Sequence, residues 1–195
     1  MGVRRSAAHP SFDTMEKFKL IQSDTVYQGR AFKVRKDVVE MPDGKRGTLD
    51  IVHHNNAITI IPVDEEGRIW LVRQYRHASG EVLLELPAGT LDESELPEVC
   101  AHREVREEIG MSASQMVNIG EFYLAPGYST EYMYVYLATG LKPDPLEMDE
   151  DEFLEVEQIP VKEFYHLAES GQIQDAKTLA ALFLARPHLL SFVDP

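Results

Sequence analysis

Short β-branched and aromatic runs broken by turn formers fill most of the chain, and amphipathic stretches close it. The segment "TVYQGRAFKVRKDVVEMPDGKRGTLDIVHH" predicts strands around a "PDG" turn at Pro42 to Gly44. "AITIIPV" is a short apolar run ended by "DEEG", the pattern of a buried strand and a turn, and "RIWLVRQYR" reads as its partner. "EVLLELPAG" predicts a further strand that ends at Pro87. Pro97 then opens a helix, because its missing N–H is not needed in the first turn. Gly110 closes that helix as a natural C′ residue. In "EYMYVYLA" Met133, Val135 and Leu137 alternate with Tyr132, Tyr134 and Tyr136, which predicts a strand with two distinct faces. "DPLEMDEDE" is an acidic loop and "FLEVEQI" a returning strand. "VKEFYHLAES" and "DAKTLAALFLAR" predict two terminal helices, the second capped by Asp175. Many strands, one central helix and helices at the end predict an α/β sandwich with a mixed sheet.

The central helix carries "HREVREEIG". With Ala101 at zero on a wheel of about 100° per residue, Val105 and Ile109 fall near 40° and 80°. Glu108, Glu104 and Glu107 fall near −20°, −60° and −120°. The three acids therefore border the apolar arc instead of opposing it. Carboxylates at the edge of a core are partly desolvated and repel one another, so a counter-charge is needed. Arg103 reaches Glu107 by i,i+4 spacing, whereas Arg106 points toward solvent. On this reading one arginine does not satisfy three carboxylates. An oxygen-preferring divalent cation, Mg²⁺ first, would do so. A plain salt-bridged acidic face is the alternative reading of the helix taken alone.

Charge and composition narrow the partners. The chain has 195 residues, is 44% hydrophobic and has a formal net charge of −14. An acidic surface disfavours DNA, RNA and phosphorylated metabolites alike, so any phosphate site must bring its own local cations. Cys100 is the only cysteine, which fits a reducing cytoplasm. No apolar run approaches the roughly 20 residues that span a bilayer, so no membrane partner is expected. Residues 1–14, "MGVRRSAAHPSFDT", lack the apolar stretch of a signal peptide. They are expected to be a disordered leader, with Met15 a natural start.

The sequence before the helix changes the balance between the two readings. In "GTLDESELPEVCAHREVREEIGM", Gly89 is followed by five residues, then Glu95, then seven, then Arg103-Glu104-Val105, one residue, Glu107-Glu108, one residue, Gly110 and Met111. This spacing resembles a complete Nudix box, and the chain from about Thr25 resembles the ADP-ribose and nucleoside-diphosphate-sugar pyrophosphatases of the Nudix hydrolases. The stretches "VYQGRAFKVR", "LVRQYR", "ELPAGTLDE" and "FYLAPGYSTE" carry the resemblance alongside the box. So does Pro126, about fifteen residues after it.

The resemblance implies a Nudix-type α/β/α sandwich with a mixed central sheet plus a small N-terminal antiparallel sheet. It divides the chain into the 1–14 leader, N-terminal strands at 15–54 serving dimerisation and substrate, and a hydrolase domain at 55–195. It implies Mg²⁺-dependent hydrolysis of the diphosphate of nucleotide sugars such as ADP-ribose, with Mn²⁺ as a substitute. Glu104, Glu107 and Glu108 would hold the metal together with the Ala88 carbonyl. Glu150 or Glu152 would act as general base, the alternative being that both are ordinary loop acids. Gly89, Glu95, Arg103 and Gly110 would brace the loop and helix.

On the substrate side, Arg73 and Arg76 lie three apart and face opposite ways on a continuing strand. Arg76 matches the family's phosphate-side arginine, and Arg73 reads as a surface pair. Arg46, Pro126, Tyr128 and Glu131 are further substrate candidates. Tyr27 and Phe32 would stack on the base or else pack the small sheet. The resemblance further implies a cytoplasmic homodimer with exchanged N-terminal strands. Its rivals are a Nudix hydrolase of dinucleoside polyphosphates or capped RNA, and a non-catalytic ADP-ribose-sensing module.

Overall fold

The computed structural model describes residues 15–147 and 153–193. The chain divides into two units, Met1–His54 and Asn55–Pro195. The described part of the first unit is an antiparallel meander of β1 (Lys19–Gln28), β2 (Phe32–Glu40) and β3 (Arg46–His54). The turn between β2 and β3 is the "PDG" turn, where Gly44 sits at φ 80° and its N–H closes onto the Met41 carbonyl. β1 begins earlier than its sequence suggests, at Lys19, and is exposed along its whole length. Inside this unit the Tyr27 ring packs over Gly29, where a Cβ would stand 2.8 Å from Cε1.

The second unit runs β4 (Ala57–Pro62), β5 (Arg68–Arg76), β6 (Glu81–Glu85), β7 (Ala88–Thr90), α1 (Pro97–Glu108), β8 (Met111–Tyr123), β9 (Tyr132–Pro143), β10 (Leu154–Pro160), α2 (Val161–Glu169), α3 (Ala176–Ala185) and α4 (Leu190–Val193). β4 is buried at all six positions, which fits its parallel pairing with β9 in the middle of a mixed sheet ordered β7-β4-β9-β8. A second, antiparallel sheet is ordered β10-β5-β6. One face of β4 and β9 places Ile58, Ile60, Tyr136 and Ala138 against Cys100, Ala101, Val105 and Ile109 of the α1 segment. The other face places Ile61 and Val135 with Ala181, Leu182 and Ala185 of α3. The mixed sheet is thus sandwiched between helices, and the α/β sandwich read from the sequence holds. No helix among the described residues is long and apolar enough to cross a membrane.

Two elements depart from expectation. β8 is thirteen residues long, yet "MSASQMVNIGEFY" has no clean alternation to announce it. It is stabilised by pairing with β9 along almost its full length. The "EVLLELPAG" run is two strands in different sheets. β6 ends at Glu85 beside β5, and after Leu86 and Pro87 the short β7 pairs with β4. That switch of sheets brings Ala88 and Gly89 under α1.

Candidate active site on the α1 and β7 pair

α1 starts with Pro97 at its first turn and stops at Gly110, whose φ of 69° only glycine adopts without strain. Its burial follows the order on the wheel. Glu108 is 4% exposed and Glu104 6%, while the more peripheral Glu107 is half-buried. Two carboxylates are therefore inside the core edge, where ionised groups require partners.

Arg103 supplies most of them, and this corrects the expectation that it answers Glu107 alone. Its Nη1 donates to Glu104 Oε1 at 2.7 Å and to Glu107 Oε2 at 2.8 Å. Its Nε and Nη2 fork onto Glu95 at 3.1 and 3.0 Å. One planar guanidinium has enough donors to serve three carboxylates when they converge on its rim. The Glu95 carboxyl is held below its ordinary pKa chiefly by Arg103, and hydrogen bonding to Glu95 raises that of Arg103. Glu95 also accepts the Asp92 N–H at 3.0 Å and so ties down the loop before the helix. Arg106 is on the outer side and donates to the Asp144 carbonyl and carboxylate.

β7 forms the opposing wall. The Ala88 N–H donates to Glu108 Oε2 at 3.0 Å. Glu104 lies directly on Gly89, where a Cβ would stand 1.8 Å from Oε1 and 2.0 Å from Cδ. Only a residue without a side chain admits the carboxylate at this point. The Pro87 carbonyl accepts from the Ile60 N–H at 2.9 Å and from Thr59 Oγ1 at 3.2 Å, which fixes the approach of β7 to β4.

The side-chain donors are all carboxylate oxygens, two of the three carboxylates are buried, and Glu104 lies on a glycine cradle. That chemistry fits a hard divalent cation. Among the described residues no three His, Cys, Asp or Glu side chains already converge as a metal group. Positive charge between Glu104 and Glu107 is provided by the Arg103 guanidinium. Glu150 and Glu152 lie outside the described residues.

A second charged group adjoins this wall, and two of its members, Glu85 and Lys177, escaped the sequence reading. Arg76 ends β5 and forks Nε and Nη2 onto Glu85 at 2.8 Å each. Glu85 is 1% exposed and also accepts from Lys177 Nζ of α3. Burial alone would raise the Glu85 pKa, but Arg76 and Lys177 bring it below its ordinary value. Lys177 also donates to Asp175 at 2.9 Å. Asp175 caps α3 by accepting from the Thr178 N–H, and Thr178 Oγ1 accepts the Leu86 N–H at 2.9 Å. Arg76 was expected to be a cation reserved for phosphate, yet two of its nitrogens are committed to Glu85. Arg73 does form the surface pair read for it, with Glu157.

The other candidates are more scattered. Pro126 and Tyr128 are exposed in the loop between β8 and β9, and Glu131 is half-buried where β9 begins. Tyr27 and Phe32 are exposed in the first unit, with ring centroids 6.1 Å apart, and Arg46 is exposed at the start of β3.

Comparison with known proteins bears on the same residues. Residues 53–182 match the NUDIX domain model, and residues 18–48 match the nucleoside diphosphate sugar hydrolase N-terminal domain. The chain is 36% identical to the ADP-ribose pyrophosphatase of Bacillus subtilis over 84% of its own length and 90% of that protein. It is 34% identical to the methanol dehydrogenase activator of Bacillus methanolicus, with the same shares covered. A solved structure described as an ADP compounds hydrolase superposes with a TM-score of 0.82 at 28% identity, covering 92% of this chain and 97% of that one.

Proposed function

The chain belongs to the NUDIX domain family, and from that premise we propose that it hydrolyses the diphosphate bond of nucleoside diphosphate sugars such as ADP-ribose. The products are a nucleoside monophosphate and a sugar phosphate. The observation that carries the reading is the pair of buried carboxylates, Glu104 and Glu108, set against the glycine-lined wall of β7. Such a site attracts cations and repels a diphosphate unless a cation intervenes. The names of the Bacillus subtilis relative and of the superposed structure support the substrate class. The name of the Bacillus methanolicus relative speaks of a target enzyme, whereas the chemistry of the glutamate cluster favours hydrolysis.

In this reading Glu104, Glu107 and Glu108, with the Ala88 carbonyl, hold Mg²⁺, which Mn²⁺ replaces. An ion held there would supply charge neutralisation for the diphosphate and a lowered pKa for the attacking water. Arg103 orients Glu104 and Glu107 through one nitrogen while Glu95 holds the opposite edge of its guanidinium. Gly89 lets the wall approach Glu104, and Gly110 ends the helix behind Glu108. Glu150 or Glu152 takes the proton from water. Arg76 meets a phosphate, with Arg46, Pro126 and Glu131 bordering the substrate. Tyr27 and Phe32 face its base. The protein acts in the cytoplasm as a homodimer with exchanged N-terminal strands. The exposed Phe18, Leu20 and Val26 of the first unit favour such an exchange, because they form apolar surface in want of cover.

A panel of ADP-ribose, GDP-mannose and dinucleoside polyphosphates, run with Mg²⁺ and read by coupled phosphate release, tests the proposal. Glu107→Gln and Glu108→Gln should lower turnover by about two to four orders of magnitude while the fold survives. No turnover of any nucleotide sugar by the purified protein would overturn the reading.

A further inference from the structure

The group formed by Arg76, Glu85, Lys177 and Asp175 has no part in the glutamate cluster, yet it adjoins the wall that carries Ala88 and Gly89. Its charges cancel, with two cations and two carboxylates. Glu85 lies at the end of β6, one residue before the Leu86 N–H that Thr178 secures. Lys177 is 11% exposed, so its ammonium is committed to its two carboxylate partners. Arg76 is different. Its side chain is 41% exposed, Nη1 lies outside the fork made with Glu85, and Glu108 adds to the field felt by its guanidinium.

We propose that Lys177 is a positioning residue, which holds Glu85 and cancels the charge of Asp175 so that Arg76 keeps both its orientation and its attraction for a phosphate. The proposal rests on the reading of Arg76 as the phosphate-side cation. The physical reason is local charge. With Lys177 present, the four groups sum to zero and an approaching diphosphate meets the outer edge of Arg76 without opposition. Without Lys177, the buried Glu85 and the half-buried Asp175 face one arginine. The net −1 then draws Arg76 inward and repels the diphosphate. Lys177 itself holds Glu85 and Asp175 rather than the glutamates of α1, so binding should suffer more than the chemical step.

Lys177→Met keeps the aliphatic stem and removes the charge. It should weaken binding of inorganic pyrophosphate in Mg²⁺, measured by calorimetry, by about tenfold. It should raise KM for ADP-ribose by about the same factor, with kcat changed less than about twofold. Lys177→Arg should restore most of the loss. The double variant Lys177→Met, Asp175→Asn should also recover, because it returns the local sum to zero and asparagine still caps α3. A merely structural lysine would lower the melting temperature without this split, and asparagine at position 175 would not rescue it. Unchanged pyrophosphate affinity in a folded Lys177→Met protein overturns the proposal, as does failure of both rescues. The pyrophosphate comparison judges the proposal even if the wild-type protein turns over no nucleotide sugar, an outcome that would sink the hydrolase reading instead.

Discussion

Replacing Gly89 with alanine should separate folding from catalysis. The added Cβ would lie 1.8 Å from Glu104 Oε1, 2.0 Å from Cδ and 2.5 Å from Cγ. Ordinary carbon contacts need about 3.5 Å, so the whole end of the Glu104 side chain must move by more than about 1 Å. Rotation of the carboxylate alone does not clear Cγ. Moving Glu104 breaks its charge-assisted bond to Arg103, a loss of about 1.5–3 kcal/mol. Against this, Gly89 lies in a strand without a positive φ, and alanine there regains about 0.5–1 kcal/mol. The net cost is about 0.5–2.5 kcal/mol, or a fall of roughly 1–10 °C in melting temperature for a chain of this size. Catalysis should suffer far more, because a misplacement of about 1 Å in a reacting assembly costs about a hundredfold. Thermal unfolding by fluorimetry and ADP-ribose turnover at a temperature well below the transition check the two halves. Full turnover in the variant would refute the reasoning, since Glu104 could then leave its cradle without consequence. A collapse of the fold would refute it equally, since the clash would then be with more than one side chain.

Two further outcomes follow from the same charges. Arg103→Ala removes the cation shared by Glu95, Glu104 and Glu107 and should cost about 3–5 kcal/mol in metal-free protein. Saturating Mg²⁺ should recover part of that loss if the ion takes over the neutralisation, so the Mg²⁺-induced rise in melting temperature should be larger in the variant than in the wild type. Stability should also depend on acid pH through Glu85 and Glu95. Both carboxyls have folded-state pKa values below the ordinary 4.5, so the stability they add is full above that value and is lost as pH falls through the lower folded values. The melting temperature of wild type should therefore exceed that of Glu95→Gln at pH 6, and the gap should close as pH falls below 4.5 through the lower folded value. A constant gap across the range would show that the Glu95 charge is not what matters.

Much of the site was legible because its members are close in sequence. Glu95, Arg103, Glu104 and Glu107 lie within thirteen residues, and helical periodicity alone puts the acids at the edge of the core. An apolar run revealed β4, the signature of a strand covered on both faces, and period-two alternation revealed β9. Alternation failed for β8, where Val117 and Tyr123 are exposed beside polar neighbours and the strand is stabilised by its partner rather than its own pattern. It failed also at Leu86 and Pro87, where one apolar run serves two sheets, since nothing local records which partner each half will meet.

The division between what could and could not be read has a physical cause that extends to function. The box folds as a cassette, in which Arg103 gathers its carboxylates from one helix and the loop before it. Its register therefore survives in the order of residues, and a spacing rule finds it. The wall opposite is positioned differently. Lys177 and Thr178 reach Glu85 and Leu86 across 92 residues, and both lie in a helix whose sequence reads only as apolar with a capped start. No spacing rule relates two such sites, because the chain between them can lengthen without altering the contact. The glutamate cluster is thus locally encoded. The arrangement of Arg76, the proposed phosphate-side cation, depends on how Lys177 and Thr178 of α3 meet Glu85 and Leu86. Changes in α3 should accordingly shift affinity for the substrate before they disturb the glutamates.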